Sequence, residues 1–300
     1  MKAICLSRRD FEKLEPLILD KKIINTEGQL FKLPQKEKWY YQQKILKRLY
    51  VTEGDNFGNK LYTVNALIDR ADLFDERFII PENLAVVDGE VIGLTLPNIE
   101  NTNLGLILND YNIPLAEKKA YLKQIGKILE YLSNIRRYGI LKDFFIGDLH
   151  ENNFILNHQT KKINVTDLDS CKIAYNLPFP AKYLATAKEL PNFKEKYPQT
   201  NDQVRSLNIP NENTDLYCFN IIILNLLYGD NVQRLNLADY YEYLEYLETV
   251  DVSSELIAVF SKLYNLGNNE NPLELIDQLP DDLRSTHNLA FKYKTGRTLN

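Results

Sequence analysis

Asp148, Asn153 and Asp167 are the residues whose types and spacing could do chemistry in this chain. They stand in the run FIGDLHENNFILNHQTKKINVTDLD at 145–169. One aspartate lies in a polar loop, an asparagine follows five positions later, and a second aspartate comes after a pair of short apolar segments. Phosphoryl transfer from a metal-bound nucleotide asks for such a set: one carboxylate to orient the attacking hydroxyl, and an amide oxygen and another carboxylate to hold magnesium over the phosphates. Taken singly, acidic residues and asparagines are ordinary occupants of surface turns, so the ordered set carries the argument.

The elements around the set are consistent with that use. Apolar residues at 154–156 and 163–165 flank a polar turn at 158–162, which predicts a short hairpin with Asn153 and Asp167 on either side of it. Residues 214–229 are apolar nearly all round, with Asp215 near the start and Gly229 at the end, which predicts a helix buried within a domain. Asn220 and Asn225 interrupt it, and it is too short to span a bilayer. Upstream, Leu122, Ile125, Leu129, Leu132 and Ile135 recur at helical spacing in 117–137, leading directly to the loop of Asp148.

The order DLHENN followed by TDLDS resembles the catalytic loop and metal-binding motif of the protein-kinase-like superfamily. The DLH form is nearer to aminoglycoside phosphotransferases and atypical bacterial Ser/Thr kinases than to the eukaryotic pattern. The resemblance implies Asp148 as catalytic base, Asn153 as a metal ligand and Asp167 as the principal metal ligand. It also implies His150 near the transferred phosphate. Asp215 would bond the backbone of the catalytic loop, and it also suits the helix N-terminus, where the dipole favours a carboxylate.

The first third reads as strand-rich, with strands predicted in 23–34 and 39–51 and a hairpin about the Asp-Gly turn in 84–97. The resemblance implies a phosphate-binding lysine on the third strand, and Lys47 fits that place, with Lys44 as the alternative. Residues 59–69 predict a helix with Leu61, Val64, Leu67 and Ile68 on one face. It stands where the family offers a glutamate to the lysine, and it has none; Asp69 or Glu53 are the substitutes at hand. Residues 98–101 fall at the family's hinge, where adenine meets backbone groups. Gly28 is the single glycine available for a phosphate-covering loop. Ile146 and Gly147 replace the family's His and Arg before the catalytic aspartate, so a pocket for a phosphorylated activation loop is not expected. Asp169 replaces a glycine and is read as a turn residue rather than a further metal ligand. Residues 171–213 read as an irregular segment over the site where an acceptor binds. The Tyr- and Glu-rich stretch at 239–248 reads as a packing helix.

Three hundred residues with 44% hydrophobic content suffice for a sizeable core, and a formal charge of −5 without a basic tract argues against nucleic acid as a partner. Three cysteines, far apart, suggest a reducing compartment. No apolar run is long enough for a signal peptide or a membrane helix, and the three histidines lack zinc-ligand spacing. The expectation is a cytoplasmic α+β protein of two-lobe, protein-kinase-like fold, with a strand-rich N-lobe at 1–100 and a helical C-lobe at 101–300. By the resemblance it binds ATP between the lobes with Mg2+ and phosphorylates a protein on Ser or Thr. The alternatives are a small-molecule kinase of aminoglycoside or choline type, which Glu242, Glu245 and Glu248 could serve with clustered carboxylates, an inactive scaffold of the same fold and, least, a nucleotidyl transferase.

Overall fold

The strand that carries Lys47 runs from Lys44 to Leu49 (β3) and lies inside a five-stranded sheet. The computed structural model describes residues 3–17, 28–33, 44–175, 210–235, 237–264 and 269–287. The chain forms two compact units, Met1–Asn103 with Asn152–Pro178, and Leu104–Glu151 with Phe179–Asn300.

In the first unit the sheet comprises β1 (Ala3–Leu6), β2 (Gly28–Lys32), β3, β4 (Asn83–Val87) and β5 (Glu90–Pro97), in the order β1-β4-β5-β3-β2. A short helix, α1 (Arg8–Phe11), follows β1. Within this sheet β1 and β4 pair in parallel and the other described pairs are antiparallel. The expected hairpin is β4–β5, and its turn has positive φ at both Asp88 (50°) and Gly89 (90°), the backbone that a two-residue connection favours. Of the strands predicted in 23–34 and 39–51, β2 and β3 are the described parts, and 23–27, 34 and 39–43 lie outside the described residues.

Period-two alternation divides β3 between two cores. Leu46 joins Ile4, Leu6, Phe31, Ala85 and Val87 in one cluster. Lys47 pairs with Leu94, which pairs with Leu84, so these three share the opposite face. Helix α2 (Gly54–Asp69) covers that face, with Val64 and Ile68 packed on Leu84 and Leu94. It starts earlier than the predicted 59–69 and has no side-chain cap at its N-terminus. A cap is worth about 1 kcal/mol, whereas each of these fully buried aliphatic side chains contributes about 1.5–3 kcal/mol. Burial therefore holds α2.

The sheet closes tightly on Lys47. A Cβ at Gly28 would stand 2.4 Å from the Arg48 carbonyl oxygen, and one at Gly93 would stand 2.0 Å from that of Lys47. Glycine on both flanks lets neighbouring backbones press against β3 at these two residues.

A second sheet, β6-β7-β8, consists of β6 (Asn101–Asn103), β7 (Phe154–Asn157) and β8 (Ile163–Val165), all antiparallel. The expected β7–β8 hairpin is tied to 77–79 of the same unit by Val165 N–H to Arg77 O and Ile79 N–H to Val165 O, both 2.8 Å.

The second unit holds α3 (Leu104–Asn109), α4 (Leu115–Arg137), α5 (Glu212–Tyr228), α6 (Leu237–Glu248) and α7 (Ser254–Ser261). α5 is the predicted central helix. It starts with a reciprocal Asn211/Thr214 capping box, ends at Gly229 with φ 75°, and packs on α4. α6 buries Tyr240, Tyr243, Leu244, Tyr246 and Leu247, as a packing helix should. Residues 176–209, most of the expected acceptor-side segment, lie outside the described residues.

Candidate functional site

The hairpin register decides where the metal candidates stand. Phe154 pairs with Val165, so Asn153 and Thr166 are the next opposed residues, and Thr166 N–H donates to Asn153 O at 2.9 Å. Asn153 and Asp167 thus share the open end of one hairpin. Asn153 is buried, and Asp167 has left-handed backbone (φ 60°, ψ 38°), a conformation that aspartate tolerates better than most residues and that recurs at functional sites.

Lys47 meets this turn. Its ammonium bonds the carboxylate of Asp167 and donates to Asp169 Oδ1 at 2.8 Å. Lys44, the alternative, pairs with Glu82 at 2.6 Å instead. Neither proposed substitute for the helix glutamate is used: Glu53 and Asp69 are exposed at the two ends of α2. What α2 turns toward the site is Lys60, whose Nζ lies 3.0 Å from Asp169 Oδ2. Asp169 is therefore not a turn residue only, since its side chain is 2% exposed and lies between two ammonium groups. Its reading failed because a turn that α2 covers is no longer a solvated turn.

Charge explains the protonation states. Burial alone would push the Lys47 ammonium down, but Asp167 and Asp169 overcome it and raise its pKa. Burial opposes ionisation of Asp169 too, yet Lys47 and then Lys60 hold its pKa well below the carboxylate range. Asp167 goes the other way: burial pushes it up to about 6, with Lys47 pulling down and Asp169 pushing up. The two carboxylates compete for one lysine, and Asp169, with a second cation, keeps its charge more firmly.

The other predicted residues lie in the second unit. The loop before Asp148 is held by Asp215, as expected: Ile146 N–H donates to its Oδ2 at 3.0 Å and Gly147 N–H to its Oδ1 at 2.7 Å. Burial raises the Asp215 pKa to about 6 against these two bonds. Gly147 has φ 75°, and Asp148 N–H bonds Ile146 O at 2.9 Å, a tight three-residue turn. A Cβ there would meet Pro210 Cγ at 2.8 Å, a local reason for glycine at this position. Asp148 and His150 are each about a third exposed, with His150 Nε2 3.9 Å from Asp148 Oδ2, too far for a hydrogen bond. Arg136, which sequence reasoning missed, ends α4 by bonding Phe144 O at 3.3 Å, stacking on Phe145 and pairing with Glu212 at 3.2 Å. Its signal was a cation in the last helical turn.

Lys60 also carried a signal. It stands four residues before Val64, on the stripe that packs against the sheet, and a lysine on such a stripe needs a buried carboxylate partner. Gly28, expected to approach phosphates, is buried opposite Leu49 in the β2–β3 pair.

The donor set suits magnesium. Mg2+ is bound by one or two carboxylates with substrate phosphates, and Asn153 and Asp167 offer hard oxygen donors on one hairpin end. Asp167 keeps about a third of its side chain exposed, so it is reachable by such an ion.

The fold is that of the protein kinases: a strand-rich N-terminal lobe and a helical lobe. Among solved structures, the chain is similar to the kinase domain of PknI from Mycobacterium tuberculosis, at 13% identity and TM-score 0.51, covering 88% of this chain and 94% of that one. No protein-family model matches the chain, and no curated protein matches it. No helix among the described residues is long and apolar enough to cross a membrane.

Proposed function

We propose that the chain is an ATP- and Mg2+-dependent phosphotransferase acting on serine or threonine hydroxyls of a protein, in the cytoplasm. The observation that carries this reading is the convergence of Lys47 with Asp167 beside Asn153 at one hairpin end, on a kinase-like fold. Asn153 and Asp167 hold the metal, which neutralises phosphate charge when bound. Lys47, kept charged by its carboxylates, binds nucleotide phosphate oxygens. Asp148 orients the acceptor hydroxyl and takes its proton as the oxygen attacks the γ-phosphorus. The bond from that phosphorus to the β-bridging oxygen breaks, and ADP leaves. His150 lies near the transferred group. A protein acceptor is favoured over an aminoglycoside because Glu245 and Glu248 stand on the exposed side of α6, opposite its buried tyrosines.

A second reading, a kinase-fold scaffold, is favoured by one observation: Lys47 engages Asp167, the carboxylate that a metal would need. Purified protein with labelled ATP and Mg2+, offered protein acceptors, aminoglycosides and choline, separates the readings. Transfer to protein that Asp148→Asn abolishes supports the proposal. No transfer to any acceptor, together with no Mg2+-dependent thermal shift by ATP, overturns it in favour of the scaffold.

A further inference from the structure

We infer that Asp169 is the positioning residue of Lys47. The carboxylate that holds the lysine is carried on the turn after Asp167, and α2 contributes a cation, Lys60, to the same carboxylate. This rests on reading Lys47 as the phosphate-binding group.

The geometry supports the assignment from three sides. α2 has no buried carboxylate to offer: Asp55 and Asp69 are exposed, as is Glu53 at its N-cap. Its inward group is Lys60, with a side chain only 10% exposed. Asp167, the other partner of Lys47, is reached through Oδ1 alone and has its own use in the proposed site as a metal ligand. Asp169 then remains, with Oδ1 on Lys47 and Oδ2 beside Lys60. Both oxygens are committed to cations, which leaves Asp169 outside the metal set.

Charge gives the arrangement a consequence. Lys47 and Lys60 against Asp167 and Asp169 sum to zero. If the charge of Asp167 were taken up by a divalent ion, two ammonium groups would face one carboxylate, and that net positive group would suit the phosphates of an incoming nucleotide. A helix carboxylate paired with Lys47 alone would leave no such excess. Lys60 is thereby a second cation for the phosphate chain, held ready by the same aspartate.

The first test does not depend on catalysis. In a double-mutant cycle of Lys47→Met and Asp169→Asn, read by urea unfolding, the two changes should be non-additive by at least about tenfold in the unfolding equilibrium. Additivity overturns the inference. The second test reads kinetics. Asp169→Asn alone leaves two buried ammonium groups against one carboxylate, so it is combined with Lys60→Met to restore balance. That double variant should fold and lose at least about tenfold in kcat/KM for ATP. Combining Asp169→Asn with Lys60→Glu, which moves the carboxylate to α2, should recover the share of the loss that belongs to positioning Lys47 and leave the share that belongs to the second cation. Wild-type kinetics in the first combination, or no recovery in a folded second one, overturns the inference. Coupling in the cycle from a wild type that neither binds ATP nor transfers phosphate upholds the Asp169–Lys47 assignment and removes the phosphotransferase reading.

Discussion

Asp169 and Asp215 are both almost wholly buried, at 2% and 1% exposure, yet burial acts on them with opposite outcomes. Asp169 faces two ammonium groups and stays ionised below the ordinary range. Asp215 faces two backbone N–H groups, which satisfy its oxygens but carry no net charge, and burial raises it to about 6. Here two dipoles satisfy the Asp215 oxygens without offsetting its lost hydration, whereas two ammonium groups offset that of Asp169. The two sites accordingly do different work. Asp215 fixes a loop through bonds to its backbone, while Asp169 gathers two cations where the proposed function needs phosphate-binding charge.

The largest expected effect lies on the loop that Asp215 holds. Asp148→Asn should lower transfer by about 10²–10⁴-fold with an unchanged urea midpoint, because the clasp on Ile146 and Gly147 does not involve it. Next, Asp215→Ala should orphan two buried N–H donors and cost about 2–6 kcal/mol in unfolding free energy. A loss under about 1 kcal/mol would mean that water replaces the clasp, and the contrast with Asp169 would fall.

The pH dependence follows in sign from Asp215. Its folded pKa is raised from 3.8 to about 6, so the native state holds its proton more tightly than the unfolded chain. Its contribution is fully present below about pH 4 and is lost as pH rises through about 6. Asp215→Asn should flatten that slope, on the order of 2–3 kcal/mol across the window, in calorimetric or urea titrations.

Gly93→Ala should destabilise by about 1–3 kcal/mol through overpacking, because its Cβ would meet the Lys47 carbonyl oxygen. Loss of ATP binding beyond what unfolding explains would show that Lys47 depends on the pressed backbone. The smallest stability effect belongs to Asp167→Asn, under about 1 kcal/mol, since Asp167 is about a third exposed and solvent screens the charge it leaves, while Asp169 still holds Lys47. The same variant should lose the Mg2+-dependent part of the thermal shift by ATP, which differential scanning fluorimetry would read.

Much of this was legible along the chain because it is local. The β7–β8 hairpin, the Asp-Gly turn and the helices around Leu122 and Ile222 follow from periodicity and turn chemistry, which act over a few residues. Asn153 and Asp167 were visible for the same reason: a hairpin brings its two flanks together whatever surrounds it. The partner of Lys47 was not legible. Glu53 and Asp69 were the acids nearest to the right helix, but their side chains point to solvent. Asp169 looked like a turn residue because nothing in its neighbours in sequence reveals that a helix covers it.

By itself the sequence determined the kinds of element and the hairpin that Asn153 and Asp167 flank, since each depends on periodicity or turn chemistry within one segment. Only the tertiary structure decided that Asp169 lies between Lys47 and Lys60, residues brought together across more than a hundred positions. A buried charge needs a counter-charge or hydrogen-bond donors beside it, and which groups become neighbours is settled when sheet, helix and turn pack, not by their order along the chain.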